Sequence, residues 1–159
     1  PLTYPSTLRL VGDWWSQPLK GDAYGEWVVK GEVTWTGDGG YVGKTSKGKV
    51  FGIYDEDSPS PMEMVLHAHA ACSMIDVIDG LKDRVANVEF ATVDIETKRA
   101  AESPRVFTSV CMNYKMKGDV PEELVRRLIE TSHEKFCSVG IMITRSGSSL
   151  EWTLEMGWN

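Results

Sequence analysis

From Met64 to Ile78 the chain is apolar on nearly every side of a helix: Met64, Val65, Leu66, Ala68, Ala70, Ala71, Cys72, Met74, Ile75, Val77 and Ile78. A helix without a polar face is buried on all sides. It is therefore expected to be the central core helix, with sheet on one side and another layer on the other. Its start is written in Ser60-Pro61-Met62-Glu63: Ser60 as N-cap, Pro61 at the first helical position and Glu63 completing a capping box. Asp79 to Arg84 mark its exit to solvent. His67, His69 and Asp76 interrupt the apolar run, which reads as too short and too polar to span a bilayer.

The segments around this helix read mainly as strands. Trp27, Val29, Gly31, Val33 and Trp35 alternate with more polar neighbours, the period of a strand. Gly37-Asp38-Gly39-Gly40 is a hairpin turn, Tyr41 to Thr45 the return strand and Val50 to Tyr54 a third strand. Val88 to Lys98 and Val106 to Met116 form a second pair, joined near Ser103-Pro104. A second helix begins at Gly118-Asp119-Val120-Pro121-Glu122, with Asp119 as N-cap, and ends near Phe136-Cys137. Leu124, Val125, Leu128 and Ile129 are its apolar stripe. Val139 to Thr144 and Leu150 to Met156 read as a closing hairpin. Strands that run in hairpins favour an α+β fold over a parallel α/β sheet. Residues 1–26, punctuated by proline and glycine, read as an irregular N-terminal extension, and residues 27–159 as one domain.

Charge and cysteine usage narrow the function classes. A net charge of −6 with a pI near 5.1 disfavours nucleic acid and anionic membrane surfaces as partners. No basic start followed by an apolar run opens the chain, so no signal peptide is expected. Three cysteines do not make a paired disulfide framework; free or transiently paired thiols in a reducing cytoplasm fit better.

Two of those thiols are candidates for chemistry. Cys72 sits mid-way along the apolar helix, with Ala68, His69, Ile75 and Asp76 on its face. Cys137 sits at the end of the second helix, four residues after His133. Taken singly, each also fits a small core residue. Cys111, on a strand face with Phe107, Ser109, Asn113 and Lys115, has no neighbour to activate it. If the His69/Cys72 and His133/Cys137 faces meet, two chemistries are open: a tetrahedral zinc site, or a thiol pair beside imidazoles, where an imidazolium favours the reactive thiolate. His67 lies roughly 200° around the helix from His69, so the two cannot share an ion. Glu63 is accounted for as a cap, glycines 37, 39, 40 and 43 as hairpin residues, and the six tryptophans by core and interface packing.

Several of these segments together resemble the OsmC/Ohr family. They are Ser60-Pro61-Met62-Glu63-Met64-Val65-Leu66, Ala70-Ala71-Cys72 and Ile75-Asp76-Val77-Ile78, then Arg99, Pro104-Arg105-Val106-Phe107 and Tyr114, and finally Ser132-His133-Glu134-Lys135-Phe136-Cys137-Ser138-Val139. The resemblance runs from about Val33 to Met156. It implies antiparallel sheets wrapped around two central helices in an intertwined homodimer. It also implies a cytoplasmic thiol peroxidase that reduces organic hydroperoxides without a bound cofactor. In that scheme Cys72 is oxidised to a sulfenic acid, Cys137 condenses with it to a disulfide, and an external dithiol restores both. The family's glutamate after the helix-starting proline is Met62 here, and its hairpin arginine is missing between Gly37 and Lys44. His69, and more distantly Lys44, are then the candidate activators of Cys72. Two other functions stand beside this one: a dimeric module holding a lipophilic ligand between tryptophan and methionine walls, and a zinc-stabilised structural protein.

Overall fold

A computed structural model describes residues 29–157. The 1–26 extension and Trp14, Trp15, Trp27 and Trp158 lie outside them. The chain divides into two compact units at the Ser60/Pro61 junction.

The first unit carries an antiparallel meander of β1 (Gly31–Trp35), β2 (Tyr41–Thr45) and β3 (Val50–Ile53). Gly37 and Gly39 turn the first hairpin at φ 93° and 96°, a region open to glycine and costly to other residues. Gly43 is not a hairpin residue: it pairs with Val33 and Phe51 in the middle of β2. The Phe51 ring fills the space a Gly43 side chain would need, 2.5 Å from the position of a Cβ.

The second unit contains α1 (Pro61–Leu81), β4 (Val88–Arg99), β5 (Phe107–Gly118), α2 (Glu122–Thr131), α3 (Ser138–Arg145) and β6 (Ser149–Met156). A 3-10 turn over Lys82–Asn87 leads into β4, and one π turn over Ser132–Phe136 joins α2 to α3. The fold class is α+β, as the sequence indicates, with one correction to the topology. β4 and β5 are antiparallel, but β6 pairs with β5 in parallel, so this sheet is mixed. The cause lies in Val139–Thr144, which is helix α3 and not a strand. Short apolar runs do not distinguish strand from buried helix, and here the Cys137 thiol caps the helix by accepting from the Gly140 N–H at 3.3 Å. A helical crossover can join parallel neighbours where a tight hairpin cannot.

The second helix also starts differently. Pro121 occupies the N-cap position with no side-chain cap, and Asp119 lies outside the helix. The expected stripe holds: Val125 and Ile129 are buried, while Glu122 and Arg126 pair on the outer face at 2.6 Å. In β5, Val110, Met112, Tyr114 and Met116 form the buried face and Cys111 points outward. A register shift opposite Lys98/Arg99 inverts the alternation, so that Phe107 is also buried.

Helix α1 is not buried all round. Leu66, His69, Ala70, Ser73, Val77 and Leu81 form one buried stripe. Val65 is 39% exposed and Ile75 58%. At 21 residues, α1 is also longer than the apolar run, and by length and composition alone it qualifies as a membrane-crossing helix. It nevertheless packs as a core helix against α2, α3 and β4. Gly80 permits the approach of α2, since a Cβ there would collide with Leu128 Cδ2. Gly118 closes β5 at φ 144°, where a Cβ would collide with the Asn87 carbonyl oxygen. Gly118→Ala therefore combines strain with a backbone clash and should lower the urea unfolding free energy by about 1–3 kcal/mol; an unchanged midpoint would show that this turn relaxes.

Candidate active site

The buried stripe of α1 is polar at its centre. His69 and Ser73 are both 0% exposed and lie four residues apart, one helical turn. Asp76, half-buried, follows three residues later. These groups meet partners from two other elements. The Ser132 hydroxyl lies 2.7 Å from Asp76 Oδ2 and 3.1 Å from Ser73 Oγ. Ser73 Oγ lies 2.6 Å from the Tyr114 hydroxyl, which in turn lies 2.9 Å from His133 Nε2. One chain of hydrogen bonds thus runs from Asp76 through Ser132, Ser73 and Tyr114 to His133.

Proton counting orients that chain. A carboxylate oxygen accepts, so Ser132 donates its single proton to Asp76. Ser73 then donates to Ser132, and Tyr114 to Ser73. The Tyr114 oxygen is left to accept, so His133 carries its proton on Nε2 and leaves Nδ1 bare. Among the described residues that Nδ1 is buried without a partner, as are both ring nitrogens of His69. The two imidazoles stand edge to face with centroids 5.8 Å apart. Burial without a hydrogen bond costs on the order of 1–3 kcal/mol per group, and such a cost commonly marks a functional site.

Burial also sets the protonation states. Desolvation holds the His69 imidazole below the ordinary histidine value, so it is neutral at pH 7. His133 is pushed down to about 4, first by desolvation and then by the nearby His69. The Tyr114 phenol is raised far above its usual range by burial, against the opposing bond from Ser73.

The structure brings the two sequence-predicted cysteines together. Cys137 is buried, Cys72 is half-exposed, both are free thiols, and Cys72 stands close enough to raise the Cys137 pKa. Burial pushes the Cys137 thiol up to about 12; the Gly140 N–H opposes this, while Cys72 and Asp76 add to it. His69 stands close to Cys137 as well as on the Cys72 helix. A Cβ on Gly140 would lie 2.5 Å from His69 Nε2 and 3.2 Å from Cys137 Sγ, so both atoms face the bare Cα of this glycine. His67 is exposed and bonded to the Glu63 carbonyl, apart from the cluster. Met62 is half-buried against the core, and Cys111 is exposed. Lys44, the more distant candidate, belongs to β2 in the first unit.

Among the described residues, no three His, Cys, Asp or Glu side chains converge to hold a metal ion. A groove of about 580 Å³ lies in the first unit, lined by Val29, Val33 and Phe51 and by Lys44, Lys47 and Lys49, and no cysteine lines it. Trp152 packs edge-on to Tyr114 in the core.

The hydroxyl relay of Ser73 and Ser132 is the part that sequence reasoning missed. Two polar residues four apart on an otherwise apolar helix, His69 and Ser73, were the available signal.

The model of the OsmC-like protein family matches residues 54–153. The chain belongs to the OsmC-like family. Protein YhfA of Escherichia coli K12 is 32% identical over 122 residues, covering 74% of this chain and 91% of that protein. A hypothetical protein from Aquifex aeolicus VF5 is 25% identical, with a TM-score of 0.73 over 84% of this chain and 100% of that one. The organic hydroperoxide resistance protein OhrB of Bacillus subtilis shares the fold at 16% identity, with a TM-score of 0.55 over 81% of this chain and 98% of that one. The expected fold relationship is thereby established.

The depressed histidine gives a pH signature. His133 ionises at about 4 when folded and near 6.5 when unfolded, so between these values the unfolded chain binds more protons. Stability is therefore full above pH 6.5 and is lost as pH falls toward 4. Urea midpoints measured across this window should decline with acidification, and His133→Gln should flatten the slope; an unaltered slope would place the titration on other groups.

Proposed function

We propose that this chain is a thiol-dependent reductase of organic hydroperoxides, with Cys72 attacking and Cys137 resolving. The observation that carries this reading is a half-exposed Cys72 beside a buried Cys137 whose pKa it raises, both free thiols. The accessible thiol meets the peroxide, and the buried one meets only Cys72. Membership of the OsmC-like family and a fold shared with a hydroperoxide resistance protein support a role in peroxide defence.

The chemistry closes on these two sulfurs. The Cys72 thiolate attacks the distal peroxide oxygen, the O–O bond breaks, and the alkoxide leaves and takes up a proton as alcohol. Cys72 is then a sulfenic acid. Cys137 attacks its sulfur, an S–S bond forms, and hydroxide leaves as water after protonation. An external dithiol returns both thiols by exchange. No bound cofactor enters this cycle.

Substoichiometric organic hydroperoxide should remove two free thiols per peroxide within minutes, with a Cys72–Cys137 link found by peptide mapping. Cys72→Ser should abolish peroxide consumption. Activity surviving that change would sink the assignment.

The exposed side of α1 supports a homodimer. Val65 and Ile75 lie on it, and Phe136 (63% exposed) and Met142 (72%) are further large apolar groups left in solvent. Burying each such side chain contributes roughly 1.5–3 kcal/mol, and a second copy of the chain is the partner proposed for them. Ile75→Lys should shift the protein toward monomer in sedimentation velocity; a species of unchanged size would place the interface elsewhere.

A further inference from the structure

Resolution poses a problem that the two cysteines do not solve by themselves. Thiolate is the attacking form, yet Cys137 sits in a desolvated pocket that holds it as a thiol. Some group must take its proton as the S–S bond forms. The Sγ is directed at the His69 carbonyl oxygen, 3.8 Å away, which cannot act as a base of useful strength. Asp76 is engaged by Ser132, and His133 Nε2 by Tyr114. Among the described residues His69 has both ring nitrogens unpartnered, is fully buried, and places Nε2 on the same bare glycine surface as Cys137 Sγ, whereas the bare His133 Nδ1 is not among the atoms nearest that surface.

From this arrangement we infer that His69 is the general base for Cys137 in the disulfide-forming step, rather than the activator of Cys72. The inference rests on the Cys72–Cys137 disulfide of the reductase reading. As Cys137 Sγ bonds to the Cys72 sulfur, its proton passes to His69 Nε2, and His69 returns it to the departing hydroxide as water. A neutral imidazole is the form that can accept, and burial keeps it in that form. Gly140 is part of the device, because any side chain there would crowd both atoms. The titratable groups around the pair are Cys72 and Asp76 on α1, Tyr114 on β5 and His133 in the π turn.

The step can be watched without peroxide. In a Cys111→Ala background, which removes an exposed thiol outside the cluster, dithiobis-nitrobenzoate caps Cys72 and releases one coloured thiolate. Cys137 then attacks the Cys72 sulfur, the mixed disulfide breaks, the Cys72–Cys137 bond forms, and a second coloured thiolate leaves with the electron pair. Stopped-flow absorbance separates the two phases. His69→Gln should leave the first phase intact and slow the second by about 10²-fold or more. In the unaltered protein the second phase should be level above neutral pH. In the variant it should rise about tenfold per pH unit, as expected when the thiolate fraction alone limits attack. Deuterium oxide should slow the second phase of the unaltered protein, a readout that needs no variant to fold.

A second phase unchanged in His69→Gln, or indifferent to deuterium, overturns the inference; a slowed first phase moves the role of His69 to Cys72 and overturns it equally. Absence of peroxide turnover with a His69-dependent second phase sinks the reductase reading and leaves this role standing. Normal peroxide turnover with a His69-independent second phase does the reverse.

Discussion

Burying Ser73 and half-burying Asp76 on α1 obliges the rest of the second unit to supply partners for them. A core helix that presents only apolar groups can be packed by any surface of suitable shape. One that presents a hydroxyl and a carboxylate must be met by donors and acceptors at fixed positions, or the desolvation cost stands uncompensated. Tyr114 from β5 and Ser132 from the end of α2 meet that demand. The placement of the mixed sheet and of the helical crossover relative to α1 is thus tied to a handful of oxygen atoms.

The same desolvation divides the two thiols. Cys137 has the position in which thiols are usually acidic, at the start of a helix with a backbone N–H pointing at its sulfur. Burial outweighs that help, and the thiol stays protonated. Cys72, one helical turn from His69, keeps contact with solvent. Identical side chains thereby meet different surroundings.

Much of this was readable in the sequence, and the failures have definite causes. The capping pattern at Pro61, the glycine hairpin and the two long strands have local signatures, and the elements formed where those signatures lay. Val139–Thr144 failed because alternation over six residues is weak against a cysteine cap and a preceding helix that carries the chain onward. The helix expected to be buried on all sides leaves Val65 and Ile75 exposed, since an apolar composition does not fix which side of a helix meets the rest of its chain. Cys72, Cys137 and His69 are candidates that residue type and helical spacing alone single out. The relay is not singled out that way, because Ser73 and Ser132 are 59 residues apart and become neighbours only through the fold.

The π turn at Ser132–Phe136 has a consequence for how His133 and Cys137 are deployed. In an unbroken α-helix, residues four apart stack on one face, and both would address the same neighbour. Here the Cys137 N–H reaches back to the Ser132 carbonyl at 2.8 Å, so the coil takes up one extra residue before it ends. That residue works like a vernier, advancing the phase of everything beyond it. His133 keeps Tyr114 and the edge of the His69 ring, while Cys137 is carried round to open the next helix against the His69 carbonyl. A single step of winding, costing no additional element, lets one short segment serve two ends of the same buried cluster.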